Sequence, residues 1–394
     1  MLRPAALCAA LTAILLGTGP AVSAAAPPPD ALRAGAEDRW ALDAVNASAA
    51  WKVSKGAGVT VALLGAGQAD AGVPGLRDRI ERGPDLTGTA AGDEAAEAGG
   101  DPTALASVIA GDGGGGITGV APRARVLSLS VVRGRPEGGS VEPESPAREA
   151  RSSPIARGIR YAISRGAKVI CLPVPAYGVN REEREAVAFA LTRGAVLVAA
   201  VGDAGQSPYA RQNGTSYWAF PAGYPGVVGV AAVDRQGAKT AGSSDNLSVL
   251  VAAPGDRVPV TLAGGRRGTA SGTGVASAIV AGTIALIKAK YPDLPPELVS
   301  RALTSTSRPH PPAGYDDKVG FGVVDAAAAL RKAGELTAYG PASAVRDDAH
   351  FGKGPVSQAP TRPGPDPVRL WIYGIVVLLG IGGFCAAAVA LRRR

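Results

Sequence analysis

Short, dense apolar runs alternate with amphipathic stretches along most of this chain. Six apolar runs bounded by glycine or turn residues predict β-strands, and three stretches with apolar residues at helical spacing predict α-helices. Runs of this density are typical of strands covered on both faces, and strand–helix alternation predicts an α/β fold with a central, mostly parallel sheet flanked by helices. The predicted strands are Gly56–Gly67, Ala124–Val132, Ala167–Val174, Ala195–Val201, Gly226–Val233 and Leu247–Ala252, and the predicted helices are Pro102–Ala110, Ile155–Ser164 and Arg181–Thr192.

The longest periodic stretch within this pattern is Thr269–Lys290. Its first residues are small and include Gly272-Thr273-Gly274, and apolar residues at helical spacing follow. Small residues allow close approach of a backbone, and the apolar spacing covers most faces of a helix. We therefore predict a largely buried helix that begins at a crowded position.

The two ends of the chain carry a different pattern. Residues 1–25 combine Arg3, an apolar centre and a small-residue cleavage pattern, as a secretory signal peptide does. A first membrane helix is the weaker interpretation, because Thr18, Gly19 and Pro20 interrupt the apolar run. Residues 26–335 are then expected to form the main domain, with a leader up to about residue 39.

Residues 336–368 are rich in Pro and Gly and lack apolar periodicity, which predicts a linker. Residues 369–391 form an apolar run long enough to cross a bilayer, and 392–394 are three arginines. Because positive charge marks the cytoplasmic side, we predict a single-pass protein of the cell membrane. Its main domain would be extracytoplasmic and its C-terminus cytoplasmic.

Composition excludes some classes of function. The net charge is +8, but the three terminal arginines supply part of it, and no Lys/Arg run is interleaved with aromatic residues. Nucleic-acid binding is therefore not expected. No motif indicates a cofactor or a metal site, so we expect neither. Cys171 is the only cysteine between the two apolar ends and lies in a strand-like run, which predicts a buried apolar role.

Several segments, in order along the chain, resemble one family of proteins. The chain resembles the subtilases, and among them the mycosins, membrane-anchored proteases associated with type VII secretion. The resemblance covers about Trp40 to Leu330 and implies a subtilisin-like three-layer fold and serine endopeptidase ancestry. The segments are ITGVAPRARVLSLSVV, IARGIRYAISRGAKVI, FPAGYPGVVGVAAVD, SVLVAAPGDRV and GFGVVDAAAAL, together with the entry segment RWALDAVNASAAWKVSKGAGVTVALL.

This resemblance also assigns the catalytic positions, and none holds the expected residue. Subtilases use an aspartate, a histidine and a serine, in that order. The aspartate position holds Gly65, the histidine position Asp101 and the serine position Gly274. The only histidines, His310 and His350, match no catalytic position.

Two further functional positions of the family are also altered. The oxyanion-binding asparagine is replaced by Asp203, whose carboxylate would repel a developing negative charge unless protonated. The segment that pairs with substrate is Pro173-Val174-Pro175, in which two backbone N–H groups are missing.

Other residues could in principle replace the lost groups. Ser271, Thr273 and Ser277 supply hydroxyls near the serine position, and Asp101 with Asp203 could form a carboxylate pair suited to acid–base chemistry or a cation. The simpler interpretation is that these residues cap the starts of helices.

Two functional hypotheses follow. The first is a pseudoprotease on a subtilase framework, tethered outside the membrane, that scaffolds or stabilises protein components of a type VII-like secretion complex and retains a groove able to bind peptide. The alternative is an active mycosin-type serine endopeptidase with a non-standard site.

Overall fold

A computed structural model describes residues 39–87, 100–132, 153–338 and 367–393. Internal contacts divide the chain into two units, Met1–Tyr339 and Gly340–Arg394, and each is described by itself. The predicted signal peptide, the leader up to residue 38, most of the predicted linker and His350 lie outside the described residues.

The first unit is built on a seven-stranded sheet. Its strand order is β2-β3-β1-β4-β6-β8-β9, and every neighbouring pair is parallel. Strands β5 and β7 form one separate antiparallel pair, and β10 and β11 form another. The strands are β1 Thr60–Ala66, β2 Ile80–Asp85, β3 Arg125–Val132, β4 Val169–Leu172, β5 Ala176–Tyr177, β6 Val196–Ala200, β7 Ala219–Phe220, β8 Val228–Val233, β9 Val251–Pro254, β10 Val258–Thr261 and β11 Arg267–Ala270.

Helices cover both faces of this sheet. In the first unit they are α1 Trp40–Ala44, α2 Ala47–Ala50, α3 Pro102–Ala110, α4 Pro154–Ser164, α5 Arg181–Thr192, α6 Pro208–Asn213, α7 Thr273–Lys290, α8 Pro296–Thr304 and α9 Ala326–Thr337. A short 3₁₀ turn, Ala263–Gly265, joins β10 to β11.

Alternating side chains of the strands supply two separate cores. On β1, Val61 and Leu63 belong to the cluster that contains Ile279 of α7. Leu64, which points to the opposite face, belongs to the cluster that contains Ile159 of α4. A parallel sheet buried in this way lies between two layers of helix. The predicted three-layer α/β fold is confirmed.

Helix α7 is the central helix of the larger core, as its sequence pattern predicts. Every residue from Thr273 to Lys288 is buried. The pattern did not reveal that the last of these is a lysine with only 2% of its surface exposed. Its Nζ donates to the carbonyl oxygens of Leu294 at 2.6 Å and Pro292 at 3.3 Å, so the charge at the end of the helix is hydrogen-bonded inside the protein.

The structure corrects three details of the predicted elements. The sixth predicted strand begins at Val251, because Leu247 lies in a turn and is 69% exposed. The edge strand β2 was missed, since its sequence Ile-Glu-Arg-Gly-Pro-Asp is mostly polar. The β10–β11 hairpin was also missed.

The second unit contains one described helix, α10, Pro367–Arg392. Its residues from Trp371 to Leu391 include no charged side chain, and in length and composition it is a candidate membrane span. Helix α7 passes the same test of length and apolarity, but it is buried inside the folded domain.

Candidate functional site

The positions that the family resemblance marks as altered lie at the edge of the sheet where the carboxyl ends of the parallel strands meet. Gly65 is the second-last residue of β1, and Asp203 follows β6, so both lie where parallel strands end. Ligand sites of parallel α/β sheets form at this edge. Helices α3 and α7 contribute their first turns, through Asp101 and Gly274.

Gly65 is buried and faces Pro173. A Cβ built on Gly65 would lie 3.9 Å from Pro173 Cγ, which is ordinary van der Waals contact. The backbone at this position therefore accommodates a Cβ, but the residue supplies no carboxylate. The next acidic residue, Asp70, accepts hydrogen bonds from the amides of Gly72 at 2.9 Å and Gly264 at 3.1 Å. These bonds hold the pKa of Asp70 below its ordinary value and tie its carboxylate to the backbone.

Asp101 caps the start of α3. Its Oδ1 accepts the amide hydrogens of Thr103 at 2.7 Å and Ala104 at 3.4 Å, and Pro102 occupies the first helical position. This is the usual arrangement of an N-cap carboxylate. Among the described residues, no serine hydroxyl or histidine ring lies within hydrogen-bond distance of it. Asp101 is therefore placed as a helix cap, and no described hydroxyl is positioned for it to activate.

Asp203 is clamped onto the start of α7. The Thr273 amide donates to Asp203 Oδ1 at 2.9 Å, and the Thr273 hydroxyl donates to Oδ2 at 3.2 Å. The same hydroxyl accepts the Gly202 amide at 3.2 Å. Gly272 has φ of +113°, and a Cβ there would approach Asp203 Oδ2 to 3.1 Å, so glycine lets the carboxylate lie against the helix start.

Helix starts bind anions because their first amides are unpaired and the helix dipole is positive there. At α7 the anion is a side chain of the protein itself. A negative charge already bound at this helix start would repel a second one that developed beside it. The arrangement therefore stabilises the start of α7 and makes a second negative charge beside it unfavourable.

The three hydroxyls considered as substitutes lie in unsuitable places. Thr273 is fully buried and holds Asp203. Ser277 is also fully buried, and its hydroxyl donates to the Gly274 carbonyl at 2.7 Å. Ser271 is exposed, and its Oγ accepts the Arg257 amide at 2.8 Å. None is both accessible and bonded to a side chain that could take its proton.

Cys171 lies beside Ser277 beneath the site, with 3.7 Å between Sγ and Oγ. Burial raises the pKa of the Cys171 thiol to about 12, which the hydrogen bond with Ser277 offsets only in part. Since the thiolate is the reactive form, this cysteine is inert. Its predicted role as a buried apolar residue is confirmed.

The segment Pro173–Pro175 connects the end of β4 to β5. Pro173 is buried, and both prolines lack the N–H group that a substrate strand would need. Chain pairing resumes at Ala176 and Tyr177, which pair with β7. Of these three residues, only Val174 keeps a backbone N–H that could donate to an extended chain.

His310 lies apart from these groups, on an exposed loop, with Nδ1 3.1 Å from the Phe321 carbonyl oxygen. Within the described part of the chain, no group of three or more His, Cys, Asp or Glu side chains is arranged to hold a metal ion.

Comparison with known proteins gives this arrangement a context. The profile of the subtilase family of peptidases matches residues 56–322. The chain belongs to the subtilase family. It is similar to Mycosin-1 of Mycobacterium tuberculosis, with 32% identity over 90% of this chain and 86% of that protein. It is also similar to Mycosin-1 of Mycolicibacterium smegmatis, with 33% identity over 75% and 73% of the two chains.

Solved structures show the same likeness. The serine protease MycP1, described as an essential component of the type VII (ESX-1) secretion system, superposes with a TM-score of 0.60 and 32% identity. The match covers 74% of this chain and 88% of that one. The subtilase framework is thus shared with a protease. The assignment of Gly65, Asp101, Asp203 and Gly274 to the family's functional positions stays a prediction from the sequence.

Proposed function

We propose that this subtilase is a pseudoprotease. The observation that carries the proposal is the pair of hydrogen bonds between Asp203 and Thr273, which holds a carboxylate at the start of α7. The resemblance to the subtilases assigns Asp203 to the oxyanion-binding position. The absence of a side chain at Gly65 and at Gly274, and the use of Asp101 as a cap, support it further.

The framework retained around this site supports a binding role. The parallel sheet and α7 are packed on both sides, so the fold persists without the reaction. MycP1, which it resembles, is described as a component of a type VII secretion system. We infer that this chain scaffolds or stabilises a secretion complex of that kind, and that the groove near Pro173 offers a residual peptide surface.

Membrane attachment completes the proposal. An N-terminal signal at 1–25 would export the domain, and α10 would anchor it, with the linker at 336–368 between them. Arg392 and the two arginines after it would remain in the cytoplasm, because positive charge is retained on that side.

Loss of peptidase activity is tested with the purified full chain in detergent and a quenched fluorescent peptide library. An active serine protease of the same family is the positive control. We expect no cleavage above the buffer blank. Cleavage that Asp203→Asn or Asp101→Asn abolishes would overturn the pseudoprotease assignment and favour a non-standard endopeptidase.

The scaffold role is tested separately, by chemical crosslinking in native membranes followed by purification through a tag on the chain. We expect membrane proteins of a secretion channel to be recovered. Their recovery should be equal with Gly274→Ser, because the role does not use that position. Recovery of none would contradict the scaffold role and leave the peptidase result standing.

A further inference from the structure

A second site lies beside the altered catalytic positions, in a cleft of about 460 Å³. Clefts of roughly 300–1,000 Å³ are the usual size of ligand-binding pockets. Three of its seven lining residues are arginines and none is acidic. We call it the arginine cleft, after Arg235, Arg257 and Arg267.

The three arginines come from different elements that the fold brings together. Arg235 follows β8, and Arg257 lies between β9 and β10. Strands β8 and β9 are parallel neighbours, with Val233 opposite Pro254, so the residues that follow them emerge at the same edge of the sheet. Arg267 begins β11, which pairs with β10.

Each arginine is held by a specific contact. The Arg235 guanidinium lies over the Trp40 ring, 5.4 Å from its centroid. Arg267 donates to the Gly116 carbonyl oxygen at 2.7 Å. Arg257 has φ of +48°, a left-handed conformation that disfavours any residue with a Cβ, and its amide donates to the Ser271 hydroxyl at 2.8 Å. Residues held in such conformations concentrate at functional sites.

The charge of the cleft selects an anionic ligand. Guanidinium groups bind carboxylate and phosphate through paired N–H donors. Asp256 lies outside the lining, with Oδ2 3.5 Å from Arg257 Nε, but Arg257 is 71% exposed, so solvent weakens this pair. The residues that line the cleft include three arginines and no acidic side chain.

The shape and the apolar part of the cleft favour a peptide. Ile117 and Pro259 line it beside the arginines. Pro259 pairs with Thr269 in the hairpin, and both lie on the face that carries Arg267. A ligand that matches this lining combines apolar with acidic groups. A free phosphate would contact the arginines but not the apolar residues Ile117 and Pro259. A flat bilayer does not enter a concave cleft.

We propose that the arginine cleft binds an acidic, extended segment of a partner protein. The site is distinct from the altered catalytic positions, although Ser271 connects the two through its bond to Arg257. The proposal rests on the charge and shape of the cleft rather than on loss of catalysis. It therefore holds or fails independently of the peptidase test.

The test uses the full chain in phosphatidylcholine nanodiscs and a fluorescein-labelled hexapeptide of alternating glutamate and leucine. Fluorescence anisotropy measures the affinity. The matching glutamine–leucine peptide is the charge control. We expect binding of the glutamate peptide only, and weaker binding at higher salt.

The decisive variant combines Arg235→Gln with Arg257→Gly, since glycine suits a positive φ and the fold should persist. Because charge-assisted bonds are lost, the affinity should fall by at least about tenfold. A control with Arg181→Gln and Arg211→Gln removes the same charge from exposed positions elsewhere. Its affinity should stay within about twofold of the parent, as expected for screened surface charges.

Four results would overturn the proposal. The first is that the glutamine peptide binds as tightly as the glutamate peptide. The second is that the control variant loses as much affinity as the variant of Arg235 and Arg257. The third is that inorganic phosphate or phosphatidylglycerol vesicles bind more tightly than the glutamate peptide through the same arginines. The fourth is tighter peptide binding after Glu37→Gln and Asp38→Gln, which would identify the protein's own leader as the occupant.

Discussion

A charged side chain is hydrogen-bonded to backbone groups at each end of helix α7, but in opposite settings. At its start, the Asp203 carboxylate is exposed and comes from another part of the chain, 70 residues away from Thr273. At its far end, Lys288 belongs to the helix and is buried against two carbonyl groups. Both signs suit the helix dipole, negative at the start and positive at the end.

This difference separates the part of α7 that supports the fold from the part that the family uses for chemistry. The far end is enclosed, and the polar group of Lys288 is hydrogen-bonded inside the protein. Removal of the Lys288 side chain should therefore lower the free energy of unfolding strongly. The start faces the edge of the sheet where the parallel strands end, and the exposed Asp203 carboxylate binds it there. Substitutions at the start should therefore affect stability less than substitutions at the far end.

The largest expected effect is at Lys288. Lys288→Ala leaves a cavity and two carbonyl groups without their donor, so we expect the free energy of unfolding to fall by about 2–5 kcal/mol. Urea denaturation of the full chain in detergent, followed by tryptophan fluorescence, measures this. Lys290→Ala, two residues along and exposed, is the control and should change stability by less than about 0.5 kcal/mol. Equal effects at both lysines would contradict the account.

The pH dependence of stability should identify the same residue. Burial lowers the pKa of Lys288 to about 8 in the folded protein, from an ordinary value of 10.5. Between these values the unfolded chain binds more protons, so stability should rise with pH by at most about 1.4 kcal/mol per unit. Denaturation between pH 8 and 10.5 should show this rise relative to Lys288→Met. A parallel pH profile for the variant would exclude Lys288 as its source.

The pattern of the sequence predicted α7 but neither of its charged ends. Apolar spacing from Val275 to Ile287 indicates burial. It does not indicate that Lys288 is buried as well, with its Nζ hydrogen-bonded to carbonyl groups of the loop that follows the helix. Asp203 was placed at the oxyanion position by resemblance, whereas its bonds to Thr273 depend on the folded arrangement of β6 and α7. Non-local contacts of this kind have no periodic signal.

At the start of α7, Asp203→Ala removes the acceptor of the Thr273 amide and hydroxyl. We expect a loss of about 1–2 kcal/mol in the free energy of unfolding, as for other helix caps. Asp203→Asn keeps one oxygen acceptor and should lose less. Thermal and urea denaturation of both variants measure the difference. If alanine were as stable as aspartate, the clamp would have no structural role.

The start of α3 gives a smaller effect, because its cap is local. Asp101→Ala removes the acceptor of the Thr103 and Ala104 amides, and we expect a loss of about 1 kcal/mol. Asp101→Asn, also a good cap, should be nearly neutral. Under one set of conditions, Asp203→Ala should lose more free energy of unfolding than Asp101→Ala. A larger loss with Asp101→Ala would contradict the comparison.

Local sequence did indicate the cap at α3. Asp101-Pro102-Thr103 combines an N-cap residue with proline at the first helical position, and the helix that follows has the predicted bounds Pro102–Ala110. The edge strand β2 was not indicated because it is mostly polar. The β10–β11 hairpin was not indicated because β10 is short and interrupted by Pro259, and β11 is partly exposed. The arginine cleft was missed with them, because its arginines are far apart in sequence.

The most direct measurement of the central claim is covalent labelling by a fluorophosphonate probe, read by intact mass. It is applied to the full chain in detergent, to Gly274→Ser and to an active family member. We predict no adduct on the unmutated chain. We also predict none on Gly274→Ser, because the restored hydroxyl would lack a base and face the Asp203 carboxylate. An adduct on the unmutated chain, at any residue of the edge that carries Asp203 and Gly274, would contradict the account.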